Sequence, residues 1–196
     1  CSLAMLACGA CAPQWKPLFD GKTLDGWRPV GNAVWTVEDG CIVGTQDAQS
    51  RAGDLITEKQ YGDFELEATF KAVWPCNSGI WFRFDGKGLG YQFDILEWKN
   101  PEAYTGTIYC PGLPNKQLFL SITKDKSLTK REDWNHVYLS VIGDHIVAKL
   151  NGKQVADERH GKLTRGHIGF QVHPGDEFKT MKIIVKEIKI RSHDKP

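Results

Sequence analysis

Phe64-Glu65-Leu66-Glu67-Ala68-Thr69-Phe70-Lys71 decides the fold. Phe64, Leu66, Ala68 and Phe70 alternate with Glu65, Glu67, Thr69 and Lys71, and in an extended chain successive side chains point to opposite faces. The segment is therefore a strand with one dry face and one wet face, as in an antiparallel sandwich. Val137, Leu139 and Val141 repeat the pattern. Met181, Ile183 and Val185 do so again, followed by Ile188 and Ile190 after a phase slip at Lys186-Glu187 that predicts a bulge. Val34–Val37 and Cys41–Val43 flank Glu38-Asp39-Gly40, while His145–Leu150 runs through Asn151-Gly152 into Lys153–Ala156. Asp-Gly and Asn-Gly are strong hairpin signals because such turns need positive φ. No stretch keeps a helical period over three turns. The pattern predicts an all-β, antiparallel two-sheet sandwich of about ten to twelve strands, more than a minimal immunoglobulin sandwich uses.

The chain has 196 residues, enough for one domain with a substantial core and too few for two ordinary ones plus a linker. Its 25 basic and 24 acidic residues are mixed, with formal net charge +1, which gives no footprint for nucleic acid or an anionic membrane surface. Seven Trp, nine Phe and five Tyr are a heavy aromatic load; beyond the core, sugar-binding clefts use such rings as flat platforms. No internal repeat or low-complexity tract is found. The span from Cys110 to Asp133, with Pro111, Pro114 and Lys124-Asp125-Lys126, reads as a long loop, either a solvated connection or a rim over a cleft.

Residues 1–14 are read as the remnant of an export leader and residues 15–196 as the domain. Cys1 to Ala12 are small and apolar without a charged side chain, a stretch too short to span a bilayer. Cys1, Cys8 and Cys11 among Ala and Gly resemble the end of a bacterial lipoprotein signal, which predicts an extracytoplasmic, periplasmic or cell-envelope protein with a membrane anchor through an N-terminal lipid. A plain secretory leader also predicts export. Cys41, Cys76 and Cys110 in the body of the chain allow at most one disulfide. Cys76 and Cys110, each at a strand edge beside Pro, have the context for it, whereas Cys41 reads as core.

Candidate chemistry concentrates in Asn77-Ser78-Gly79-Ile80-Trp81-Phe82-Arg83-Phe84 and Tyr91-Gln92-Phe93-Asp94-Ile95-Leu96-Glu97-Trp98. Alternation turns Ser78, Ile80, Phe82 and Phe84 to one face and Asn77, Trp81 and Arg83 to the other. In the second segment Tyr91, Phe93 and Ile95 are the apolar set, so Gln92, Asp94 and Trp98 share the face of Arg83. Arg83 beside Asp94 has an ordinary structural reading as a cross-strand ion pair. The crowding of Asn, Arg, Gln, Asp and Trp favours a site. Near the C-terminus Ile168, Phe170 and Val172 are the core set, and Gln171 and His173 project oppositely. A lone surface His is usually inert, but His173 shares this polar face, which makes it the best base candidate. His136, His145, His160, His167 and His193 read as solvated.

Leu18-Phe19-Asp20-Gly21, Gly26-Trp27, Trp35-Thr36-Val37-Glu38-Asp39-Gly40, Tyr61-Gly62-Asp63-Phe64-Glu65-Leu66, Asn77-Ser78-Gly79-Ile80, Trp134-Asn135, Leu150-Asn151-Gly152 and Gly169-Phe170-Gln171-Val172-His173 run in order from about Lys16 to Arg191. In this combination the chain resembles the bacterial 3-keto-disaccharide hydrolase family. The resemblance implies a concanavalin A-like lectin/glucanase jelly roll, an extracytoplasmic location, and action on 3-keto-glycosides. It also implies a site on the sheet carrying Asn77, Arg83, Gln92, Asp94 and His173. One departure is Tyr91-Gln92-Phe93-Asp94-Ile95-Leu96-Glu97 where members commonly show Tyr-Glu-x-Gln-Ile-Leu-Asp. The same segment resembles the laminarinase pattern Glu-x-Asp-x-x-Glu, in which a bulge brings the last Glu onto the face of the other two. Retaining hydrolysis needs two carboxyl groups about 5 Å apart, and Gln92 stands at the nucleophile position, where an amide cannot act.

The expected enzyme is a 3-keto-glycoside hydrolase or lyase acting by removal of the C2 proton, elimination of the aglycone and hydration. His173 or Asp94 is its expected base, with Arg83 and Asn77 on the enolate oxygen. Trp81 and Trp98 hold the sugar, Gln92 and Gln171 bind it, and Glu97 joins if the strand bulges. A divalent cation on Asp94, Glu97 and Gln92 oxygens is the cofactor such an enolate would suit, although no spacing demands one. A non-catalytic lectin-like module is the alternative, since this fold hosts both.

Overall fold

A computed structural model of the chain describes residues 13–114 and 117–194. The leader and its three cysteines fall almost wholly outside the described residues. Among the described residues, fifteen strands form two antiparallel sheets. One sheet is ordered β13 (Lys153–Arg159), β12 (His145–Leu150), β11 (Asn135–Ile142), β6 (Phe64–Val73), β15 (Lys182–Ser192), β4 (Cys41–Thr45) and β3 (Val34–Glu38), with the short β1 (Lys16–Pro17) also on β15. The other is ordered β10 (Phe119–Thr123), β9 (Glu102–Tyr109), β8 (Tyr91–Lys99), β7 (Asn77–Phe84), β14 (Gly166–Val172), β5 (Gly53–Tyr61) and β2 (Trp27–Gly31). The strand total exceeds the sequence-based expectation because β1, β2 and β10 are short or irregular segments without alternation.

The deciding stretch behaves as its alternation requires. Phe64, Leu66, Ala68 and Phe70 are buried between the sheets, where they meet Ile80, Phe82, Phe93, Ile95, Ile168 and Phe170 from the second sheet. Each of these leucine, isoleucine and phenylalanine side chains removed from water contributes roughly 1.5–3 kcal/mol, and the Ala68 methyl less. Both hairpins close with two central residues at positive φ, Asp39 at 49° with Gly40 at 73° and Asn151 at 50° with Gly152 at 82°. That is the backbone an Asp-Gly or Asn-Gly turn selects. The slip on β15 is real, since Val185 pairs with Phe70 and Glu187 with the adjacent Thr69.

Three expectations need correction. The span from Cys110 to Asp133 is not all loop, because it contains β10, the edge strand of the second sheet. Cys41, Cys76 and Cys110 are all buried and free. Cys76 adjoins Asn77, which pairs with Leu96, while Cys110 adjoins Tyr109, which pairs with Gln92. The two thiols thus stand at opposite ends of β8, several residues apart at about 3.3 Å each, beyond disulfide reach. His167 is buried, its Nδ1 2.6 Å from the Thr57 carbonyl oxygen.

Candidate active site

The face of the second sheet turned away from the core carries the polar residues. Strand register lines up Asp54 of β5, Gln171 of β14, Gly79 of β7 and Asp94 of β8 as successive neighbours. Directly opposed residues share a face, so Asp54, Gln171 and Asp94 stand along one row with a gap at Gly79. Gln92 fills the gap: a Cβ on Gly79 would lie 2.5 Å from Gln92 Cγ and Cδ. Glycine here allows the amide to lie across the row.

The Gln92 amide is oriented with its nitrogen 2.8 Å from Asp94 Oδ1 and its oxygen 3.3 Å from Trp81 Nε1 and 3.2 Å from the Gln171 amide. Trp81 Nε1 donates chiefly to Asp54 Oδ1, at 2.8 Å. A chain of hydrogen bonds therefore runs Asp94, Gln92, Trp81, Asp54 across the sheet. Asp94 is buried, and the loss of water pushes its carboxyl well above the ordinary carboxylate range. Burial likewise raises Asp54, to about 6, against the opposing hydrogen bond from Trp81. Asp94 is accordingly held toward its protonated form, where it can donate a proton.

Asn77, Trp81, Gln92, Asp94, Trp98, Gln171 and His173 line one cavity of about 370 Å³, closed by Leu96, Tyr109, Leu118 and Phe119. Leu118 and Phe119 belong to the span read as loop or rim, so it does wall the cleft. His173 is partly exposed. Its Nδ1 lies 2.8 Å from the Pro174 carbonyl oxygen, which can only accept; a neutral ring in this contact carries its proton on Nδ1 and leaves Nε2 as the free base. The backbone holds the residue as well, with His173 N–H donating to the Asn77 carbonyl at 3.2 Å and Gln46 Nε2 donating to the His173 carbonyl at 2.8 Å.

Two expected site residues are elsewhere. Arg83 is not in the cavity. His167 pairs with Phe84 and Gly169 with Trp81, so Phe82 and Arg83 together oppose Ile168 in a bulge with Arg83 at φ 49°. The extra residue exchanges the faces beyond it: Phe84 stacks on Trp81 at 4.4 Å between ring centroids, and Arg83 turns inward. There its guanidinium donates to the carbonyls of Gly62, Gly143 and Leu163 at 2.8–3.0 Å and to Asp63 Oδ1 at 3.0 Å. Its ion pair is with Asp63, not Asp94. Glu97 is also absent. The pairs Gln92 with Tyr109 and Glu97 with Tyr104 belong to one unbroken register, so β8 has no bulge there. Alternation puts Gln92, Asp94, Leu96 and Trp98 on the cavity face, and Glu97 pairs outside with Arg131 at 2.6 Å. Asp94, Gln92 and Glu97 oxygens do not converge, and among the described residues no group of three His, Cys, Asp or Glu is placed to hold a metal ion.

Asp54, Gln46 and Tyr109 were not among the expected site residues. Asp54 sits in Gly53-Asp54-Leu55-Ile56 without wet-face neighbours to mark it. A sole acidic residue between glycine and buried aliphatics was the available signal.

Residues 14–191 match the family described as the 3-keto-alpha-glucoside-1,2-lyase-like domain. The chain belongs to that family. A 3-keto-disaccharide hydrolase of Bacteroides thetaiotaomicron is 40% identical over 80 residues, covering 36% of this chain and 28% of that protein, so the match spans well under half of the relative. Among solved structures, a candidate glycosyl hydrolase from Parabacteroides distasonis superposes with TM-score 0.68 at 26% identity, covering 91% of this chain and 99% of the other. The carbohydrate-binding module CBM66 of Bacillus subtilis superposes with TM-score 0.65 at 17% identity, over 85% and 96% of the two chains. The jelly-roll fold of this 3-keto-glucoside lyase-like family is thus shared with a carbohydrate-binding module outside it.

Proposed function

We propose that the protein cleaves 3-keto-glucosides by β-elimination. The observation that carries this is the placement of a free imidazole Nε2 and a carboxyl biased toward its acid form on the wall of one aromatic-sided cavity. A 3-keto group acidifies the C2 proton. His173 Nε2 accepts that proton, and the C2–H electron pair becomes an enolate spread onto the C3 oxygen. Neutral amide donors at Asn77 and Gln171 stabilise the enolate oxygen. As the enolate collapses, the C1–O bond breaks, a C1–C2 double bond forms, and the departing aglycone oxygen takes the proton of Asp94. Addition of water across the new double bond completes a net hydrolysis. Trp81, Trp98 and Tyr109 hold the ring, and Asp54 positions Trp81 from behind.

The test is incubation with 3-keto-trehalose and with trehalose, following sugar release by chromatography. Cleavage of the keto sugar alone supports elimination; equal cleavage of both overturns it. The likeness to a carbohydrate-binding module favours a second reading, a lectin-like module that holds glycan on the same face, which predicts binding without turnover of either sugar.

A further inference from the structure

The cleft does not end at Trp98. The same indole lines a second cavity of about 440 Å³, whose walls include Trp74, Glu97, Glu102, Tyr104, Arg131 and Phe178. Their walls also touch where the ring of Phe178, from the second, stands edge-on to His173, from the first, 5.6 Å between centroids. Trp98 is thus a partition with a cavity on each side. Its orientation is fixed, because Nε1 donates to the Asn100 carbonyl at 2.9 Å, yet 37% of the residue remains open to solvent. A held, half-open indole is a platform for the apolar face of a sugar.

The second cavity is built differently from the first. Arg131 lies over the ring of Trp74, 4.9 Å from its centroid, and its Nη1 meets Glu97 Oε1 at 2.6 Å. Stacking on one side and pairing on the other hold the guanidinium plane, whose remaining N–H groups form a preset fork of donors. Two acids, Glu97 and Glu102, face two bases, Lys99 and Arg131, around this space. That balance suits a neutral polyhydroxylated ligand over an anion. We infer that the second cavity binds the leaving half of a two-ring substrate, with the scissile bond at Trp98, the keto-sugar ring beside His173 and Asp94, and the aglycone sugar on the Arg131 fork. This rests on the elimination reading for which ring is which.

The test compares the parent protein with Arg131→Ala and Arg131→Lys on 3-keto-trehalose and on methyl 3-keto-α-glucoside, whose aglycone is too small to reach the second cavity. Both variants should lower the two-ring to one-ring ratio of kcat/KM by about tenfold or more, through KM, because a lysine ammonium cannot reproduce the fork. An unchanged ratio in both variants overturns the subsite. If the parent protein turns over neither compound, the elimination reading falls, and the subsite is then judged by tryptophan fluorescence titration with trehalose and methyl glucoside. Tighter binding of the two-ring sugar that Arg131→Ala abolishes supports it; equal affinities overturn it.

Discussion

Trp81 donates its indole N–H to Asp54 Oδ1 at 2.8 Å, and the carboxyl that receives it is raised by burial to about 6 from 3.8. A carboxyl whose folded pKa is raised binds more protons folded than unfolded, so its contribution to stability is full below about 4 and is lost as pH rises through about 6. Asp54→Asn should remove this dependence. In thermal melts from pH 3.5 to 7.5, the stability of the parent relative to the variant should fall by on the order of 1–3 kcal/mol between about pH 4 and 6, then level off. A difference that stays constant with pH would show that Asp54 is not raised.

Asp94→Asn keeps the shape and the contact with Gln92 while removing the transferable proton. We expect turnover of a 3-keto-glucoside to fall by roughly two to four orders of magnitude. Because burial disfavours the ionised Asp94, the variant should gain stability over the parent as pH rises. Lower activity with a higher melting temperature at pH 8 is the expected pair; full activity would remove Asp94 from the chemistry.

His173→Ala should likewise slow cleavage by about two to four orders of magnitude. The side chain is partly exposed and adds little to the core, so the melting temperature should move by only a few degrees. Steady-state rates and melting curves on the same preparation check both halves. Normal rates in this variant would leave the C2 proton without its assigned acceptor.

Gly79→Ala places a methyl group 2.5 Å from the Gln92 side chain. The backbone there is ordinary strand, so the nearest conflict is with the Gln92 side chain, its Cγ as well as its amide. The displaced Gln92 should uncouple Asp94 from Trp81 and lower kcat by tenfold or more, an order of magnitude that displacement of positioning groups commonly costs. Gln92→Ala made together with Gly79→Ala should add little further loss, since the two act on one contact. Independent, multiplying effects would contradict the packing described.

Arg83→Lys should destabilise strongly, because one ammonium cannot serve three carbonyls and Asp63. A loss of about 3 kcal/mol or more is expected, from buried acceptors left unsatisfied. Urea unfolding measures it directly. A change below about 1 kcal/mol would show that the clamp is unimportant.

The legible parts of this molecule obey a period of two or a local turn code. Phe64 to Lys71 announces its sheet, Asn151-Gly152 its turn, and the cavity residues Asn77, Trp81, Gln92, Asp94, Gln171 and His173 each stand one residue from an apolar set, with Trp98 following by the same parity. Parity fails where the chain inserts a residue. Arg83 adopts a positive φ without being glycine or asparagine, so nothing local marks the bulge, and every side chain beyond it changes face. Glu97 fails for the opposite reason: the bulge borrowed from laminarinase-type strands is absent, and strict alternation keeps it on the face of Phe93 and Ile95, where it meets Arg131 near the end of the strand. Asp54 was hidden because its importance comes from Trp81, 27 positions away in sequence and reached only through folded strand pairing.

The inward turn of Arg83 also decides what the cleft will refuse. Had β7 kept its alternation, a guanidinium would stand on the cavity wall; instead no lysine or arginine is among the described residues lining the first cavity. A sugar carrying a phosphate or a uronate would enter with its charge uncompensated, next to Asp94, and would lose its hydration without a counterion in return. One inserted backbone residue thereby removes a cation from the wall while the other polar side chains of the cavity keep their places, and a saccharide bound there would be favoured when uncharged.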